Sequence, residues 1–225
     1  MRGERLESAN LGWHGIDGDR RLAFRRLDDQ SGFPWLTASR LAEMVLYTPL
    51  HSEGNGERDF PTHVRTPAGQ DLPAFGEDLA ADLGRLRGAP VQMTHLRHGI
   101  FDDAAISVIA TDTVGEICKL SGQSSDVRRF RPNILVRLTR PGPFLEDQWL
   151  GGVLSFGESS TAPAVTITMG DFRCSMVNVD PDSAEIAPAV LKTVVRANAG
   201  NAGVYGTVTR TGRLAVGQPI AWSQA

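Results

Sequence analysis

Two arginine-bearing segments and a single thiol carry most of the chemistry in this 225-residue chain. The first segment reads Asp126-Val127-Arg128-Arg129-Phe130-Arg131-Pro132-Asn133-Ile134; the second is Arg173-Cys174, followed by Val179-Asp180-Pro181. A guanidinium fork matches the oxygens of a phosphate two at a time. The amide of Asn133 offers two donors and an acceptor to the edge of a heterocycle. A thiolate is a soft ligand suited to a transition metal, and Arg173 beside Cys174 favours the thiolate form. Together the set suits a polyanionic, metal-bearing cofactor.

Arg131 and Cys174 are far apart in sequence, so the fold has to bring them together. Short strands are the main means. Leu22 to Leu27, Val91 to Leu96, Ser107 to Ala110, Ile134 to Leu138 and Ala164 to Met169 are rich in branched residues and bounded by turn formers. Helical pattern is sparser: Thr37 caps a helix through Leu46, and Asp78 to Leu86 reads as another. Thr113 with Glu116 forms a capping-box pattern ahead of Ile117, Cys118 and Leu120. Pro188 suits the first turn of a helix through Val195. His51 to Asp59 and Gly142 to Gly152 read as exposed loops. Many strands with few helices predict a mainly β, α+β chain built on a barrel rather than alternating βαβ units.

The composition excludes several functions. A hydrophobic fraction of 41% and a charged fraction of 22% are ordinary for a globular protein. A net charge of −3 argues against a nucleic-acid or membrane-surface binder. All 23 basic residues except Lys119 and Lys192 are arginine, which biased base composition explains outside the motifs. No apolar run reaches the roughly 20 residues of a membrane span, and no secretory leader pattern opens the chain. A cytoplasmic location is expected, with Cys118 and Cys174 as free thiols. Cys118 falls at helical spacing beside Val114 and Ile117 and is expected in the core. The five histidines show no H-x-x-x-H pairing, and neither G-x-G-x-x-G nor G-x-S-x-G is present.

Arg131-Pro132-Asn133 and Arg173-Cys174 with Val179-Asp180-Pro181 resemble the MOSC family, named for the C-terminal domain of molybdenum-cofactor sulfurases. Within it the chain is most similar to bacterial stand-alone proteins related to the mitochondrial amidoxime-reducing component. Residues 1–85, through Gly15-Ile16-Asp17-Gly18-Asp19-Arg20 and Leu36-Thr37-Ala38-Ser39-Arg40, resemble the family's N-terminal β-barrel region without its first strand. Residues 90–225 resemble the MOSC domain proper, ending in Gly212-Arg213-Leu214-Ala215-Val216-Gly217-Gln218-Pro219. The resemblance implies a MOSC-type β-barrel with interspersed helices and a closely packed N-terminal β-rich region.

It also implies a pyranopterin molybdenum cofactor with Cys174 as metal ligand and catalytic residue. Arg20, Asp103, Arg131, Asn133 and Arg173 are the implied cofactor contacts. The implied reaction is reduction of a small N-hydroxylated substrate. Two cysteines are too few for an iron–sulfur centre, so electrons come from a separate reductase or ferredoxin-like partner. A sulfur carrier using a Cys174 persulfide is the alternative, and a cofactor-binding module without turnover is a third. Pyridoxal phosphate is not expected, because neither Lys119 nor Lys192 stands in a Schiff-base context. Three departures from the family pattern stand out. Ala104 and Ala105 follow Asp103 where hydroxyl residues are common, Asn178 replaces a threonine, and the Pro-Val-Lys-Ser motif expected upstream of Arg2 is absent. The last departure points to a late annotated start or to one lost phosphate contact.

Overall fold

Short apolar runs closed off by glycine and proline become strands along most of this chain, whose computed structural model describes residues 1–51, 60–100 and 103–224. In chain order come β1 (Ser8–Gly12), β2 (Gly15–Ile16), β3 (Leu22–Arg26), β4 (Thr48–Leu50), β5 (His63–Arg65), β6 (Asp71–Pro73) and helix α1 (Glu77–Arg87). Next are β7 (Val91–His95), β8 (Ile106–Ala110), helix α2 (Thr111–Ser121), β9 (Ile134–Val136), β10 (Gly152–Phe156) and β11 (Ala164–Phe172). Helix α3 (Ala189–Asn198) precedes β12 (Asn201–Arg210), β13 (Gly212–Ala215) and β14 (Ile220–Gln224). The fold is mixed α+β. Among the described residues no helix is long and apolar enough to cross a membrane.

The chain divides into two compact units, each made of several stretches. One holds residues 1–4, 18–100 and 179–186; the other holds 5–17, 101–178 and 187–225. In the first, β3 pairs antiparallel with β7, and β4, β5 and β6 form a small meander. Helix α1 carries Glu77 and Asp78 in its first turn and Arg85 and Arg87 in its last. That order complements the helix dipole. Gly88, at φ +78°, ends it.

The expected helix from Thr37 to Leu46 is not formed. Turns lead instead into a short 3-10 stretch, Ala42–Leu46. The Thr37 hydroxyl pairs with that of Ser39 at 2.8 Å rather than capping a backbone N–H. Leu36, Ala38, Leu41, Met44, Val45 and Tyr47 are all buried, and burying so dense a set overrides the helical pattern. Residues 52–59 of the expected His51–Asp59 loop lie outside the described residues; His51 itself is exposed.

The second unit is built on a curled half-barrel sheet in the order β14-β10-β11-β12-β8-β9. All its pairings are antiparallel except β8 with β9. A smaller sheet, β13-β1-β2, belongs to the same unit. Every residue of β8 is buried. Its Ile106 and Val108 join Leu154, Phe156, Val165, Ile167 and Val204 in one core cluster. Ile109 joins Val114, Ile117, Cys118, Phe130, Val190 and Val194 in another, formed with α2 and α3. Cys118 is a core residue, 1% exposed, as expected.

The Thr113–Glu116 capping box is replaced by a different device. Helix α2 starts three residues earlier, at Thr111, and its N-cap residue Ala110 has no side-chain cap. Glu146, fully buried, reaches in from residues 142–152 and accepts from the Ala110 N–H (3.1 Å) and the Thr113 hydroxyl (2.8 Å). Residues 142–152 are therefore anchored by a buried carboxylate and include a 3-10 stretch, Leu145–Trp149, rather than forming a plain exposed loop. Pro188 precedes α3 as expected, at φ −60°.

Candidate functional site

Strand β11 ends at Phe172, where the Arg173 N–H still bonds the Gly200 carbonyl at 2.9 Å. The chain then leaves the sheet through Cys174 into a 3-10 turn, Ser175–Asn178. Cys174 is exposed and Cys118 buried, so the two thiols are divided as their sequence surroundings indicate.

The first motif separates its arginines into three roles. Asp126 accepts from the Arg128 N–H at 2.9 Å and holds the same residue's guanidinium at 2.6 Å, so Arg128 is spent on shaping the turn. Arg129 points inward and is 1% exposed. Its Nη1 donates to the Asn178 carbonyl and its Nη2 to the Gln123 Oε1, both over long distances of 3.4 Å. Arg131 is half-buried with φ +49°, a left-handed backbone for a non-glycine residue, and such a conformation costs about 1–2 kcal/mol. Asn133 Oδ1 accepts from the Ser107 N–H (3.0 Å) and hydroxyl (3.3 Å), while its own N–H bonds the Ser107 carbonyl (3.0 Å). That exchange sets β9 parallel to β8, with Ile134 opposite Val108.

The two motifs meet at Arg173. Its Nη1 donates to the Phe130 carbonyl at 2.8 Å, its Nε to the Ala202 carbonyl at 2.7 Å, and its Nη2 lies 2.7 Å from Asp171 Oδ2. The guanidinium also sits 5.6 Å from the centre of the Phe130 ring. Residue 173 is thus bonded to residue 130, which links the neighbours Cys174 and Arg131. Glycine makes the arrangement possible: Gly203 has φ +86°, and a Cβ there would lie 2.6 Å from the Val108 carbonyl and 3.2 Å from Arg173 Nη2.

Of the expected site residues, Asn133 bonds Ser107, while Arg173 is buried with its guanidinium on the Phe130 and Ala202 carbonyls and Asp171, so it holds the chain next to Arg131 rather than facing a ligand. Asp103 is exposed three residues before β8, and no described contact joins it to them. Arg20 belongs to the other unit. It follows the turn at Gly18 (φ +84°), is itself left-handed at φ +50°, and pairs with Asp19 at 2.7 Å. Sequence reasoning missed Arg129, Asp171 and Ser107. Ser107 had a signal, being the lone hydroxyl in the apolar run Ile106 to Ala110. Asp171 had one too, at strand spacing from Arg173. Arg129 had none, because three arginines in a row of four residues look alike. Among the described residues no cluster of three His, Cys, Asp or Glu side chains is placed to hold a bare metal ion.

A family model described as the MOSC domain matches residues 92–221. Among solved structures, YuaD protein from Bacillus subtilis is similar over 99% of this chain and 87% of its own, with 14% identity and a TM-score of 0.52. YiiM from Geobacillus stearothermophilus is 18% identical over 53% of this chain and 54% of its own, with a TM-score of 0.41. No curated protein matches. At such identities the YuaD likeness speaks for the fold.

Proposed function

Since the chain belongs to the MOSC domain family, which is associated with molybdenum-cofactor binding, we propose that it holds a pyranopterin molybdenum cofactor and reduces N-hydroxylated compounds. The observation that carries this reading is the exposed Cys174 thiol, tied through Arg173 and the Phe130 carbonyl to the Arg131–Asn133 segment. The donor set fits the group. One exposed thiolate is the right ligand for a soft metal that brings its other donors on an organic carrier. On the segment tied to it through Arg173, one arginine and one amide suit a phosphate and a heterocycle edge.

When bound, the cofactor supplies the two-electron redox chemistry. The chain's own residues bind and orient it. Cys174 ligates the metal, Arg131 forks onto the phosphate, and Asn133 presents its amide edge to the pterin while Ser107 bonds its carbonyl end. Asp103 is a further contact that the family pattern assigns. Electrons come from a separate reductase or ferredoxin-like protein. The exposure of Cys174 also favours a second reading, a persulfide carrier, because an accessible thiolate can accept and donate sulfur.

The experiment is metal and pterin analysis of protein purified from a molybdenum-competent host, with reduction of benzamidoxime assayed using reduced methyl viologen. The reductase reading expects molybdenum and turnover in the native protein and neither in Cys174→Ser. Extra sulfur on Cys174 by mass spectrometry, with no molybdenum, supports the carrier instead. A native protein with neither metal nor sulfur overturns both.

A further inference from the structure

Two arginines that never reach the surface cross between the motif segments in opposite directions. Arg129, from the first segment, donates to the carbonyl of Asn178 in the second. Arg173, from the second, donates to the carbonyl of Phe130 in the first. Their exposures are 1% and 8%. We propose that this reciprocal pair is a positioning clamp that fixes the spacing between Cys174 and Arg131. The inference builds on the cofactor reading but goes beyond it, because it makes Arg173 and Arg129 positioning residues and adds Asp171 as the group that orients one of them.

Three observations carry the argument. First, each clamp arginine bonds backbone carbonyls, so what it fixes is the course of the chain rather than a single side chain. Arg173 is the stronger arm, with two bonds under 3 Å to carbonyls that are distant in sequence. Asp171, 1% exposed, holds the third corner of the guanidinium and balances its charge. A buried charge needs such a partner. Second, the carbonyl that Arg173 takes belongs to the residue before Arg131, whose left-handed backbone persists only where the surroundings over-determine it. Third, Asn178, gripped by Arg129, closes the turn that begins at Cys174 and bonds the Leu191 N–H through its Oδ1 at 2.9 Å. The thiol therefore sits on a turn held at both ends, by Arg173 before it and Arg129 after it. A site that binds a rigid polyanion at one end and its metal at the other needs that separation held to within about 0.5 Å.

The test measures the spacing directly, in protein without cofactor. Nitroxide labels are placed on Cys174 and on a cysteine introduced as Ser125→Cys, an exposed position; Cys118, buried, stays unlabelled. Pulsed electron paramagnetic resonance then gives the distance distribution. Arg173→Lys keeps the charge beside Asp171 but loses the fork to two carbonyls. It should widen the distribution about twofold, as expected of a local opening, and Arg129→Lys should widen it less. Ile117→Val, a core change that lowers melting temperature without touching the clamp, is the control and should leave the width unchanged. Should Arg173→Lys unfold the protein, Asp171→Asn replaces it, with the same expectation. An unchanged width in a folded Arg173→Lys or Asp171→Asn protein overturns the proposal, as does equal widening in Ile117→Val. Separately, molybdenum per chain should fall about tenfold in Arg173→Lys, the usual effect of removing a supporting contact. If the native protein carries no molybdenum, the cofactor reading fails while the distance result still decides the clamp.

Discussion

Cys174 and Cys118 show how environment divides one residue type into two roles. The first is an exposed thiol on a turn; the second is packed among Val114, Ile117 and Phe130. Cys118→Ser should lower stability by about 1–3 kcal/mol, the cost of burying a hydroxyl, with little effect on turnover per folded molecule. Cys174→Ser should leave the melting temperature of the cofactor-free protein unchanged. Thermal melts of the two variants check both expectations. Glu146 offers a second test at this scale. Burial, the larger effect, raises its pKa above the ordinary 4.5, while hydrogen bonds from Thr113 and Ala110 oppose the rise. The folded protein then keeps this proton to higher pH than the unfolded chain does, so stability declines as pH climbs from 4.5 through the raised value. Glu146→Gln should remove that decline, read as the difference between the two proteins in urea unfolding across the same pH interval. The thiols could be told apart in sequence because polar or apolar neighbours surround each of them. Arg129 could not, because burial of a cation depends on carbonyls that come from Asn178, a residue remote in the chain.

Elements were legible where local pattern and tertiary burial agree. Strands near Leu22, Val91, Ile106, Ile134 and Ala164 and helix α1 form within a few residues of their expected bounds. Where the two conflict, burial wins, as in residues 37–46, or a distant group intrudes, as Glu146 does at the start of α2. Glycines in regular elements show the same division. In β12, a Cβ on Gly206 would lie 2.4 Å from Val165 Cγ1 and 2.7 Å from the Thr166 carbonyl. Gly206→Ala should therefore cost about 1–3 kcal/mol as an overpacking change. In α2, Gly115 has open space around the same position, and Gly115→Ala should stabilise by up to about 1 kcal/mol through helix propensity. Opposite shifts in melting temperature are the expected outcome, and none of this is visible in the bare letter G.

At the scale of the whole molecule, each compact unit is assembled from several stretches of the chain. Strand β1 pairs with β13, from Ser8 opposite Ala215 to Leu11 opposite Gly212, and Leu11, 1% exposed, belongs to the core cluster of the half-barrel sheet. A fragment of residues 90–225, which contains the whole family match, would lack that strand and leave a hole where Leu11 packs. It should melt well below the full chain or aggregate, and thermal unfolding of the two proteins decides; an equally stable fragment would contradict the view of β1 as part of this core. The pairing also has a consequence in time. A ribosome adds roughly 5–20 residues per second, and about 200 residues separate β1 from its partner. For roughly 10–40 s of synthesis the nascent β1 therefore has no β13 to pair with, and Leu11 waits in contact with water or a chaperone. The second unit closes only when translation has passed residue 215, so whatever it comes to hold must be loaded after that moment.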